Sequence, residues 1–212
     1  MPSVVRTWTM MLLSVIWLSS MGLAIAGEPT DLIRKNTEQV IKILDDPQLQ
    51  GPDKQAERQG RLRKLADEVF DWQEMARRAL ARHWRERTPQ QQQEFTGLFK
   101  DLVERTYLNR LESAAGERQD IVYGDEQTRD SQSVVKTKVI TKRKTQVPID
   151  YRLHKVDGRW KIYDVLIEGV SLVNNYRSQF NDILSRSSYD ELIQKMKSRG
   201  EEAFAGPERK TK

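Results

Sequence analysis

The chain has no cysteine, only two histidines, and no uninterrupted apolar run long enough for a confident bilayer span. Without cysteine there are no disulfides and no acylated lipoprotein anchor. The shortage of histidine thins the field for catalysis, because a serine nucleophile needs a partner base, usually histidine, and a third group to orient it. His83 sits beside Trp84 near the end of a helical stretch, and His154 falls on the polar side of a strand. They are too far apart for metal-ligand spacing and belong to no His/Cys/carboxylate cluster. Gly169-Val170-Ser171-Leu172-Val173 lacks the second glycine of a nucleophile elbow, so Ser171 reads as a helix cap. No glycine-rich phosphate loop is present. Asp164 and Arg177 are the nearest thing to an acid-base pair, and a structural ion pair explains them more simply. No catalytic residue, metal or cofactor is expected, and the chain does not read as an enzyme.

What is present begins with a leader. Residues 1–9 carry one charge, Arg6, and residues 10–25 are mostly apolar, broken by Ser14, Ser19, Ser20 and Gly22. Ala24-Ile25-Ala26 places small residues where a signal peptidase cuts, so the chain reads as exported to the periplasm and cleaved after Ala26. Removing residues 1–26 from 212 leaves 186 residues and lowers the net charge from +5 to +4, spread over 35 basic and 31 acidic side chains. That length suits one domain, 27–200, with its own core, followed by a flexible basic tail, 201–212. The mean hydropathy of −0.72 argues against an integral membrane protein once the leader is removed.

The first half has helical periodicity. Thr30 is placed to cap a helix whose apolar positions are Leu32, Ile33, Val40, Ile41 and Leu44, ending near Pro47. After Gly51-Pro52-Asp53, Leu62, Leu65, Ala66 and Val69 line a second helix. Asp71 and Glu74 resemble a capping box ahead of Trp72, Met75, Ala76, Ala79 and Leu80. Thr88-Pro89-Gln90-Gln91 is the clearest helix start, opening a long helix through Phe95, Leu98, Phe99, Leu102, Val103 and Tyr107.

The period then changes to two. Val135, Thr137, Val139 and Thr141 alternate with lysines, and Val147, Ile149, Tyr151 and Leu153 alternate with polar neighbours. Asp157-Gly158 signals a hairpin into a strand starting at Trp160, and Asp120–Tyr123 supplies a short first strand. Four consecutive strands after helices predict an α+β fold, an antiparallel sheet with helices packed on one face. Regular pleating of the last strand puts Trp160, Ile162 and Leu166 on one side and Tyr163, Val165 and Ile167 on the other. A strand apolar on both faces is either buried under two layers or forms the wall of a cavity. The strand hands over to a helix capped by Ser171, with apolar positions at 172, 173, 176, 180, 183 and 184.

Lys136, Lys138, Lys142, Arg143 and Lys144 form a basic stripe, and Arg209-Lys210-Thr211-Lys212 ends the chain. No stacking aromatics interleave them, and the export signal also argues against a nucleic-acid partner. The stripe reads as solvated charge that guards a strand edge, with attraction to acidic proteins or lipid headgroups left open.

Several phrases together resemble one family. They are the run Trp160–Phe180; Phe70-Asp71-Trp72 with Met75-Ala76-Arg77, Ala79-Leu80 and Trp84; Thr88-Pro89 with Gln92, Phe95 and Phe99; Thr106-Tyr107; and Val147–Leu153. This combination closely resembles the MlaC family of periplasmic phospholipid shuttles, also called toluene-tolerance auxiliary proteins. Residues 27–60 and those after Arg199 match less distinctively. The resemblance implies an NTF2-like fold enclosing an apolar pocket that holds acyl chains, with the headgroup near the mouth. It also implies two membrane partners, an outer-membrane lipoprotein–porin complex and an inner-membrane ABC transporter complex with its substrate-binding-domain subunit. Passage of phospholipid between them would maintain outer-membrane lipid asymmetry. The expected lipid-binding residues are Val135, Val139, Ile149, Tyr151, Trp160, Ile162, Val165 and Ile167 from the sheet. Phe95, Phe99, Leu102, Tyr107, Leu172, Val173 and Tyr176 are expected from the helices. The alternative is a periplasmic protein-binding or scaffold module with no lipid ligand.

Overall fold

The computed structural model describes residues 27–116 and 118–198; the expected leader, its cleavage site and the tail 201–212 lie outside them. Helix α1 (Glu28–Asp45) starts at Gly27 with Pro29 in its first turn, where a missing N–H costs nothing. Thr30 is therefore not the cap. It is buried inside the first turn, and its N–H and hydroxyl donate to Glu126 at 3.0 and 2.7 Å, so a carboxylate from a distant strand holds the helix start. Helix α2 (Gln55–Val69) follows two short 3-10 turns. Asp71 then has two roles: its N–H donates to the Ile162 carbonyl at 2.8 Å, and its carboxylate accepts from Glu74 N–H at 2.9 Å to open helix α3 (Trp72–Leu80). Helix α4 (Pro89–Ala115) begins with the reciprocal capping box, Gln91 N–H to Thr88 at 3.2 Å and Thr88 N–H to Gln91 at 3.0 Å.

The strands are β1 (Arg118–Arg129), β2 (Gln132–Thr141), β3 (Gln146–Val156), β4 (Arg159–Ile167) and β5 (Val170–Ser171). They pair antiparallel in chain order. The sheet has five strands rather than four because Glu168 and Gly169, both at positive φ, turn the chain back along β4 for two residues before the next helix. Strand β1 runs well beyond Asp120–Tyr123. Its polar residues suit an edge strand and hid it from the apolar alternation. Lys136 and Lys138 therefore do not guard an edge, since β2 is paired on both sides.

Strand β4 departs from regular pleating. Ile162 pairs with Leu153 and Asp164 with Arg152, so Tyr163 is an extra residue with no partner on β3. The bulge shifts the parity: Trp160, Ile162, Val165 and Ile167 share one apolar cluster, while Tyr163 joins another. This corrects the expected division of β4. Helices also cover both faces at this strand rather than one, α1 beside the first cluster and α3 with helix α5 (Leu172–Leu184) beside Tyr163. Helix α6 (Tyr189–Ser198), absent from the sequence reading, buries Leu192, Ile193 and Met196 behind a Ser188 cap.

Asp164 organises the junction between sheet and helices. Only 3 % exposed, it accepts from Ser171 Oγ at 2.7 Å and Val173 N–H at 3.1 Å and pairs with Arg152 at 3.2 Å. Ser171 in turn accepts from Asn174 N–H at 3.0 Å, completing the α5 cap. The acid-base pairing weighed for Asp164 and Arg177 is not formed, because Arg177 donates instead to the Arg78 carbonyl at 2.9 Å. Asp164→Ala strips acceptors from a buried Ser hydroxyl and a helix N–H, and is expected to destabilise the fold by about 3 kcal/mol in a denaturant titration. An unchanged midpoint would contradict this role.

Candidate functional site

The inner face of the sheet is built from cross-strand rows two residues apart. Thr128, Ser133, Leu153 and Ile162 form one row, and Glu126, Val135, Tyr151 and Val165 the next. Tyr123, Thr137, Ile149 and Ile167 follow, then Ile121, Val139 and Val147. On β2, β3 and β4 burial falls along this series, while Thr128 on the edge strand β1 is exposed. Ser133, Leu153 and Ile162 are sealed, Ile149 and Ile167 are half-buried, and all three residues of the last row are half-buried. The result is an apolar cup, closed at one end and opening towards Val139.

Other elements complete the walls. Helix α1 supplies Leu32 and Ile33, and the end of α2 supplies Val69 and Phe70. Trp160 closes the deep end and is tied to α1 by its indole N–H, which donates to Glu28 at 3.1 Å. The Thr137 and Ser133 hydroxyls find partners: Thr137 donates to the Ile149 carbonyl at 2.8 Å, and Ser133 accepts from Thr128 at 2.8 Å. Satisfied hydroxyls leave the surface apolar in effect. On the more open side, the Arg34 guanidinium lies 4.5 Å over the Tyr123 ring.

Tyr151 lies midway along the cup. The side chain keeps accessible area and is only half-buried, yet burial pushes its hydroxyl up to about 12, with the neighbouring Tyr123 adding to the rise. Burial likewise raises the Tyr123 hydroxyl.

The structure divides the fifteen expected residues. Val135, Ile149, Tyr151, Trp160, Ile162, Val165 and Ile167 meet in the cup cluster. Val139 lies on the same face, one row further out. Phe95, Phe99, Leu102, Leu172, Val173 and Tyr176 belong to a separate, closed helical core, where Phe99 meets Tyr176 edge-on at 5.4 Å; Tyr107 packs against that core. Leu32, Ile33, Tyr123 and Leu153 were not among the expected residues. The two α1 residues had a helical apolar signature, but nothing in their spacing pointed to the sheet.

The cup offers apolar contact and little chemistry. Its flanking charges are spent on structure, Glu126 on Thr30 and Glu28 on Trp160 and Lys155. Among the described residues no group of His, Cys, Asp and Glu is arranged to hold a metal ion, and no helix is long and apolar enough to cross a membrane.

Residues 34–198 match the family model described as MlaC protein. The chain is 25 % identical over 193 residues to the toluene tolerance protein ttg2D of Pseudomonas putida, spanning 90 % of this chain and 87 % of that protein. It is also similar to the phospholipid-binding protein from Ralstonia solanacearum, whose structure holds a phospholipid. There the identity is 28 % and the TM-score 0.72, over 84 % of this chain and 98 % of the other.

The raised tyrosine hydroxyl sets a pH dependence. Between the ordinary tyrosine value near 10 and about 12, the unfolded chain has lost the Tyr151 proton and the folded chain keeps it, so stability falls as pH rises across that window. Tyr189, also pushed up to about 12, adds a second such term. Tyr151→Phe is expected to soften the alkaline loss of stability and to remove one late-ionising tyrosine from an absorbance titration. A Tyr151 signal titrating near pH 10 would contradict the burial of this hydroxyl.

Proposed function

The chain belongs to the MlaC family, and on that premise we propose that it is a soluble periplasmic phospholipid carrier. It sequesters acyl chains in the cup between the sheet and α1. The observation that carries this reading is the run of apolar residues that β2, β3 and β4 bring to one face beside α1, graded from buried Leu153 and Ile162 to half-buried Val139. The similarity to a protein that binds phospholipid supports the choice of ligand. The lining proposed here is Val135, Val139, Ile149, Tyr151, Trp160, Ile162, Val165 and Ile167, extended by Leu32, Ile33 and Tyr123. The sealed aromatic residues of α4 and α5 hold the fold.

The mechanism follows from solvent physics. Each methylene exposed to water costs about 0.8 kcal/mol, so a two-chain lipid cannot cross an aqueous space unaided. From Leu153 to Val147 the cup spans three two-residue steps, roughly 20 Å along a strand. An acyl chain reaches about half of the ~30 Å hydrocarbon core of a bilayer, and so fits that length. Apolar enclosure alone removes most of the cost, with no catalytic step and no metal or organic cofactor. Release then requires a partner that offers the lipid a better site or opens the cup. The partners proposed are an outer-membrane lipoprotein–porin complex and an inner-membrane ABC transporter complex with its substrate-binding-domain subunit. Exchange between them would maintain outer-membrane lipid asymmetry.

Protein purified without detergent should carry phospholipid, seen by native mass spectrometry and recovered by organic extraction. Val139→Asp, in the half-buried row, should lose most of that lipid while keeping a cooperative melt, because an opening admits water to a charge. A wild-type mass at the polypeptide value would favour the scaffold alternative, and a folded Val139→Asp with full lipid would remove that row from the lining.

A further inference from the structure

A second concavity lies among the helices, and none of its lining residues belongs to the cup. It is a groove of about 460 Å³ bordered by Arg77, Arg78, Ala81, Arg82, Arg85 and Arg177, continuous through Ala81, Arg82 and Arg177 with a hollow of about 280 Å³ reaching His83 and Asn181. Ala81 makes the convergence possible. It holds φ 51, ψ −122, a conformation uncommon for a residue with a side chain, and thereby breaks the chain direction between α3 and the following 3-10 turn. Arginines from the last turn of α3, from the 3-10 turn and from α5 then border one space.

Two of the five are already engaged. Glu74 takes Arg77 at 2.6 Å and Arg78 at 2.6 Å, and Arg78 also lies 4.1 Å over the Tyr163 ring. Arg82 is held by neutral contacts, donating to Asn181 at 2.8 Å and approaching His83 at 3.2 Å. Arg177 spends its Nε on the Arg78 carbonyl at 2.9 Å. Among the described residues Arg82, Arg85 and Arg177 have no carboxylate within ion-pair distance. Like charges gathered without counter-charge repel, and guanidinium forks match carboxylates bidentately.

We propose that this groove docks an acidic segment of a protein partner, with its Asp and Glu carboxylates received by Arg82, Arg85 and Arg177. A bilayer surface fits less well, because the cations line a concavity and Leu80 and Trp84 beside them are buried, leaving no apolar side chain there to insert. The proposal goes beyond lipid carriage and rests on the carrier reading only in that a carrier must meet partners.

The test uses the full mature chain and a labelled peptide of alternating Asp and Glu, with binding followed by fluorescence anisotropy. Binding should weaken with added salt and fall about tenfold or more in the double reversal Arg82→Glu/Arg177→Glu. Lys136→Glu/Lys138→Glu makes the same change in net charge on the exposed sheet face and should leave binding within about twofold. Should the double reversal not fold, Arg85→Glu, which disrupts no hydrogen bond or ion pair among the described residues, carries the comparison. The proposal is overturned if the peptide does not bind at low salt or if both reversals weaken it equally. It is also overturned if phosphatidylglycerol vesicles occupy the groove and the peptide cannot displace them. Phospholipid extracted from the same samples should be unchanged in the groove variants; lipid-free wild-type protein would count against the carrier reading and leave the peptide result intact.

Discussion

Tyr163, the extra residue in β4, governs how the two apolar regions of this protein are partitioned. In a regular pleat Val165 and Ile167 would point away from Trp160 and Ile162, and neither face of the strand would be coherent. The bulge puts all four on the cup side and leaves Tyr163 and Asp164 for the helices. Asp164 is then in place to accept from Ser171 and the α5 N-terminus. Tyr163 receives Arg78 on its ring and joins the helical core. A single insertion thus positions the cup floor, the start of α5 and one wall of the arginine groove.

The two regions are packed differently. Phe95, Phe99, Leu102, Leu192 and Met196 have no accessible area, and their rings interlock with Tyr176 and Phe180. Such packing is stiff, and removing one large side chain from it costs roughly 3–5 kcal/mol. The cup is graded instead, from sealed Leu153 to half-open Val139. A domain whose stability resides in a separate core can leave a second apolar face less tightly packed, as the proposed lipid carriage would require.

Much of the fold was legible in local chemistry. The Thr88–Gln91 box, the Asp71 and Ser171 caps and the Asp157-Gly158 hairpin all stand where their residues placed them, because each is decided within four residues. Alternation likewise revealed the inward residues of β2 and β3. The bulge was not legible, since an extra residue is defined only against its partner strand. The Glu126 carboxylate that holds Thr30 is 96 residues away in the chain and left no local trace. Helix α6 did leave one, Ser188 and Glu191 at capping spacing. For the candidate site, the sheet residues could be named from their period, but Phe99 and Val165 differ in nothing that sequence displays. One packs a core and the other lines a cup because of where the chain takes them.

The central claim is that acyl chains occupy the cup between the sheet and α1 and not the aromatic core of α4 and α5. Its most direct test is a crystal structure of the protein purified without detergent. The account predicts continuous acyl density running past Tyr151 and Val165 towards Val139. Acyl density among Phe95, Phe99 and Tyr176, with the cup collapsed and dry, would contradict it.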